Sequence, residues 1–243
     1  MNIPSSLDNA PTAPATKHTF GVRVADIAAL LPDGSTVLGQ RKIPTLPQFD
    51  QAFGAFAQGT LLKSDKGFMA VEDLQPGDRL VTADGSMETV TWIGSAQFSP
   101  NDLGQRMRLT RITSGSFGVN RPTNCVSLGS AARLLQTPPD LRGTMGAAQM
   151  MTPAQRFVDG VSVIEVSPPT STRLFHVALR RHKAINADGL DVESFHPGGQ
   201  TLQLLSHTLR SVFMSCFPHI NQLSDFGPMS YQRAPETDGQ TAA

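Results

Sequence analysis

Asp78-Arg79-Leu80-Val81-Thr82-Ala83-Asp84-Gly85-Ser86-Met87-Glu88-Thr89-Val90-Thr91-Trp92-Ile93-Gly94 is the stretch whose pattern decides the fold. Apolar and polar residues alternate on both sides of Asp84-Gly85, a pair suited to a tight turn, so the segment reads as two strands joined by a hairpin. The same signal repeats outward from it: GTLLKS (59–64), GFMAVEDL (67–74), MRLTRI (107–112), VSVIEVS (161–167) and TRLFHVALRRHKAINADG (172–189). Most of these runs are short and alternating or β-branched, and Gly, Asp or Pro closes them. Asp188-Gly189 marks a second tight turn. Thr152-Pro153 reads as an N-cap and first helical residue for one turn through Val158. The expectation is a mainly β (all-β) domain over residues 54–198.

The flanks read differently. Residues 1–18, with several Pro and Thr and almost nothing bulky and apolar, form a disordered tail. Residues 19–53 hold a small β element followed by a linker. Phe20, Val22 and Val24 alternate, Asp33-Gly34 sits between two apolar pairs, and Pro44 and Pro47 keep the stretch 43–51 extended. In the extension 199–233, Leu202, Leu205, Leu209, Val212, Phe213 and Cys216 recur at three- and four-residue steps, predicting a C-terminal α-helix over about 200–217 that stops before Pro218. Its stripe must pack on the β domain. Residues 234–243 read as a second disordered tail.

Composition excludes several functions. Twenty Lys and Arg balance twenty Asp and Glu, so no global field gathers nucleic acid or an anionic membrane. No apolar run is long enough for a membrane span, and the N-terminus lacks the basic start and apolar stretch of a Sec signal peptide. The expected location is the cytoplasm by default, or outside it by a signal-independent route. Cys125 and Cys216 are the two cysteines, too few and too far apart for a metal knuckle or disulfide scaffold. They read as two small part-buried apolar side chains, with one bridge between them as the other option.

The order of motifs carries a resemblance. Gly54-Ala55-Phe56-Ala57-Gln58-Gly59-Thr60, Val71-Glu72-Asp73-Leu74-Gln75-Pro76-Gly77-Asp78 and Val90-Thr91-Trp92-Ile93-Gly94 are followed by Phe175-His176, His182 and Glu193-Ser194-Phe195-His196-Pro197-Gly198. The chain resembles bacterial Hint-domain proteins related to hedgehog autoprocessing domains and inteins over about 53–233. The resemblance implies a flat, pseudo-symmetric assembly of short curved strands. It also implies a self-processing chemistry: a first Cys attacks the preceding carbonyl to exchange an amide for a thioester, a Thr/Ser-x-x-His motif protonates the scissile amide, and a late Asp and His assist proton transfer.

The reactive positions depart from that pattern. Ala55 stands where the nucleophilic Cys belongs, and a methyl group attacks nothing. Ser127 keeps the serine of the Ser-x-x-His motif, while Ser130 stands where the resemblance places its histidine. Arg180 stands where an Asp is implied, two residues before His182, which is kept. Ala55, Thr60, Ser127, Ser130, Arg180 and His182 are thus the remnant of the family site, with no catalytic set intact. Cys125, two residues before Ser127, is the candidate substitute nucleophile, although Asn124 and Val126 offer its thiol no cation. His176 and His182 share a face only if one strand continues through both, about 20 Å apart, too far to share a metal unless the chain bends. No metal and no cofactor is expected, and neither phosphate-loop nor dinucleotide, serine-hydrolase or zincin motifs occur.

The reading is a catalytically inactive Hint-like protein serving as a binding or interaction module for an unknown protein or peptide. Its own upstream segment 44–54 is a candidate occupant of a cavity around Ala55, Ser127, Ser130 and His182. The alternative is a residual self-cleaving protein that cuts near residue 54 with a substitute nucleophile.

Overall fold

The computed structural model describes residues 21–102, 105–145, 149–198 and 205–235. The expected tail 1–18, most of the tail from 234, and the first five positions of the expected helix lie outside the described residues.

The quoted hairpin forms as its sequence dictates. Arg79–Val81 pairs antiparallel with Met87–Thr89, and Gly85, at φ 78°, takes the left-handed turn position. The second strand then runs on for twelve residues, Met87–Phe98, and becomes the spine of the molecule. Along 87–92 it buries alternate residues; from Trp92 to Ala96 every residue is buried, because the sheet there is covered on both faces. Thr172–Leu179 pairs with one edge of this spine and Val22–Leu30 with the other. Fifteen short strands of the described residues form one antiparallel network, with Asn101–Asp102 and Gln105–Arg106 as a separate ribbon.

Two cores lie on this framework. One gathers Phe56, Leu80, Val90, Ile112, Leu128, Val177 and Ile185 from the central strands. The other joins the N-terminal hairpin, Val22–Leu30 with Thr36–Pro44, to Trp92, Phe195 and a C-terminal helix, His207–Ser215. Trp92 is fully buried and its indole N–H donates to the Cys216 carbonyl at 2.7 Å, which ties the spine to the end of that helix. Gly94 is required beneath it: a Cβ there would stand 2.2 Å from the Trp92 ring and 2.6 Å from Phe53.

Five expectations are corrected. The linker expected through Pro47 is a helix, Pro47–Phe53, because Leu46 stays extended as the residue before proline must, and Pro47 then occupies the first helical turn where no N–H is needed. Its Phe49, Ala52 and Phe53 are buried in the second core. The C-terminal helix starts at His207, after Ser206, whose hydroxyl accepts from the Leu209 N–H, and it packs on the second core with the N-terminal hairpin rather than on the β domain alone. Thr152 lies in a strand and donates to the Gln136 carbonyl; the single turn is Ala154–Phe157. Ala234 donates to the Met151 carbonyl and Pro235 accepts from Arg156, so the chain stays docked beyond residue 233. Cys125 is exposed, whereas Cys216 is buried, with burial pushing its thiol up to about 12.

Candidate functional site

The junction that the resemblance marks as scissile lies between Gly54 and Ala55. Gly54 ends the Pro47–Phe53 helix where a Cβ would stand 2.7 Å from the Asp50 carbonyl. Ala55 has no exposed surface. Its N–H donates to the Phe175 carbonyl at 3.0 Å, its carbonyl accepts from Gly129, and the Gly54 carbonyl accepts from the Ala131 N–H at 3.1 Å. Gly129 has to be glycine for this wrap, since a Cβ would come within 2.1 Å of the Gly54 oxygen. The junction is therefore clamped by residues 129–131 and by the Thr172–Leu179 strand.

The remnant residues do not share one cavity. Thr60, Ser127 and Cys125 line a cleft of about 190 Å³ with Asp188. Thr60 donates its hydroxyl to the Ala57 carbonyl at 2.6 Å, a structural bond. Ser130 lies on a different cleft of about 670 Å³, beside Asp50, Arg108 and Glu165. The cause is local: Ser127 projects from the Val126–Leu128 strand, and the Gly129 bend turns the chain before Ser130 emerges. Arg180 is exposed, held by its N–H to the Thr89 carbonyl. The continuous strand expected from His176 to His182 is broken between Leu179 and Ala184.

His182 is buried and fully committed. The Ser230 N–H donates to Nδ1, which assigns the ring proton to Nε2, 3.1 Å from Glu193 Oε1. His196 is committed in the same way, accepting from the Gly198 N–H at Nδ1 and donating to the Gly227 carbonyl. Neither ring keeps a nitrogen for a metal or for proton transfer. His176, buried against Phe195, puts Nδ1 2.9 Å from the Gln51 carbonyl, and burial pushes its pKa down to about 4.

Glu193 joins these parts. It is buried, bonded by Arg233 at 2.9 Å and approached by Arg133 at 3.5 Å. Burial pushes its carboxyl up, but the His182 hydrogen bond and the two guanidinium charges outweigh this and hold it below its usual value. Arg133, Arg233, His176 and Gln51 line a cleft of about 210 Å³ with Phe195 and Phe213 as apolar walls. Sequence reasoning missed Gln51, Arg133 and Arg233. No motif or spacing marked them, because their partners lie far away along the chain.

Among the described residues no helix is long and apolar enough to cross a membrane. No curated protein matches the chain. A bacterial intein-like domain from Clostridium thermocellum is similar at 11% identity over 59% of this chain and 99% of its own, with a TM-score of 0.40. The MchDnaB-1 intein is similar at 18% identity over 58% of this chain and 100% of its own, with a TM-score of 0.34. A family model described as the Hint domain matches residues 54–199, more than half of the chain. With its antiparallel framework and the motif order read above, the chain belongs to the Hint domain family.

Proposed function

We propose that this is a Hint-domain protein that no longer cuts itself and that acts as a binding module. The observation that carries this is Ala55: the residue that would have to attack the Gly54 carbonyl has a methyl side chain, fully buried in the core. The groups that would assist are equally committed. His182 has both nitrogens bonded, Arg180 faces solvent, and Cys125 belongs to a cleft apart from the junction. Loss of the nucleophile removes the covalent route. What remains is a rigidly held junction and, beside the helix that leads into it, a cleft with charged and apolar walls.

The test is the intact mass of freshly purified protein, with and without hydroxylamine, which cleaves a thioester or ester. The expected result is 26.0 kDa under both conditions. A fragment ending near residue 54 establishes the self-cleaving alternative and overturns this reading.

A further inference from the structure

The cleft lined by Arg133, Arg233, His176 and Gln51 specifies the chemistry of its ligand. The Gln51 carbonyl only accepts, so the His176 proton sits on Nδ1, and Nε2 is left as an acceptor on a ring that lines the cleft. The charged groups acting on this ring are two guanidinium groups, Arg133 and Arg233, and one carboxylate, Glu193. Glu193 is not part of the lining, and no Asp or Glu is among the described lining residues. The lining a ligand meets therefore presents two guanidinium groups, whose shared carboxylate partner Glu193 lies behind them, beside the neutral polar groups of Gln48, Gln51, His176 and His196. Phe195, Phe213, Pro47 and Pro197 supply apolar walls. At about 210 Å³ the cleft is smaller than the roughly 300–1,000 Å³ of sites for drug-sized ligands and suits a single residue.

We propose that this cleft binds a carboxylate that carries one apolar side chain and an N–H donor, as the C-terminal residue of a peptide or a free N-acylated amino acid does. The carboxylate pairs with Arg133 and Arg233, the N–H donates to His176 Nε2, and the side chain packs on Phe195 and Phe213. This rests on reading the chain as a binding module.

Isothermal titration of the full chain tests it with four probes: N-acetyl-leucine, its amide, 4-methylpentanoate, and a tetrapeptide ending in leucine with a free carboxylate. N-acetyl-leucine or the tetrapeptide is expected to bind about tenfold or more tighter than the amide, because the amide forfeits the charge-assisted bonds. The acid lacking an N–H, 4-methylpentanoate, is expected to bind several-fold more weakly. Preference for the tetrapeptide over N-acetyl-leucine identifies a protein C-terminus as the source, and the reverse identifies a free acid. Arg233→Gln is expected to weaken binding about tenfold in protein whose circular dichroism shows it folded, at a lower denaturant midpoint because Glu193 loses a partner. His176→Phe is expected to erase the difference between N-acetyl-leucine and 4-methylpentanoate. The comparison of probes on the unaltered protein stands even if a variant fails to fold. Equal affinity for acid and amide, or no heat from any probe up to about 10 mM, overturns the assignment. Failure here with an intact mass overturns only the ligand; cleavage near residue 54 overturns the binding-module reading itself.

Discussion

Ala55 and three buried or half-buried histidines set what single residues do in this protein. Restoring the thiol with Ala55→Cys supplies the nucleophile but not a proton donor, because His182 and His196 have both ring nitrogens bonded and His176 holds its proton on the Gln51 carbonyl. The Ala55→Cys chain is therefore expected to remain intact with and without hydroxylamine, and its mass is the check. His176 also predicts acid sensitivity. Its imidazole takes a proton near 6.5 when unfolded but resists to about 4 when folded, so the unfolded chain binds more protons in between. Stability is complete above 6.5 and is lost as pH falls toward 4, at about 1.4 kcal/mol per pH unit. His219, pushed down to about 4 by burial, acts in the same direction. Denaturant titrations at neutral pH and near pH 4.5 are expected to show His176→Phe losing about 2 kcal/mol less than the native chain between the two conditions. Ala55 and His182 were legible as sequence positions because motif order located them. The commitment of both His182 nitrogens was not, since their partners Glu193 and Ser230 lie 11 and 48 residues away.

The Pro47–Phe53 and His207–Ser215 helices matter because they carry aromatic rings into the second core. Phe213 is buried with its ring 5.6 Å from Phe49 and 5.0 Å from Phe217. Phe213→Ala is expected to cost about 3–5 kcal/mol, read as a lower denaturant midpoint, because the cavity left between two helices collapses only in part. Along the spine strand, Gly94→Ala pushes a methyl into Trp92 and Phe53. It is expected to cost about 1–3 kcal/mol with a change in Trp92 fluorescence. The strands were read well from period-two patterning, which is local. The first helix was read as a linker because Pro44 and Pro47 disfavour helix at the residues before them, yet Pro47 is acceptable in a first turn. Only the burial of Phe49 and Phe53 against the sheet makes that seven-residue turn worthwhile, and nothing local encodes such burial.

At the scale of the whole chain, Glu193 links a sheet strand to residues far away in sequence. Arg233 reaches it from the C-terminal segment, and Arg133 from the strand Arg133–Leu135. Glu193→Gln leaves two guanidinium groups without their counter-charge and is expected to destabilise the protein by about 3 kcal/mol or more, measured by denaturant unfolding. The sequence by itself determined the β framework, its hairpins, the family and the absence of a nucleophile at residue 55, because each is written in neighbouring residues or in motif order. The tertiary structure decided that the remnant residues separate into different clefts, that the N-terminal hairpin and the C-terminal helix share a core with Trp92, and that Arg133, Arg233, His176 and Gln51 line one cleft. These follow from long-range packing, where residues 51, 133, 176 and 233 meet because strand register, the docked Pro47–Phe53 helix and the C-terminal segment bring them together, and no periodicity or spacing along the chain records that meeting.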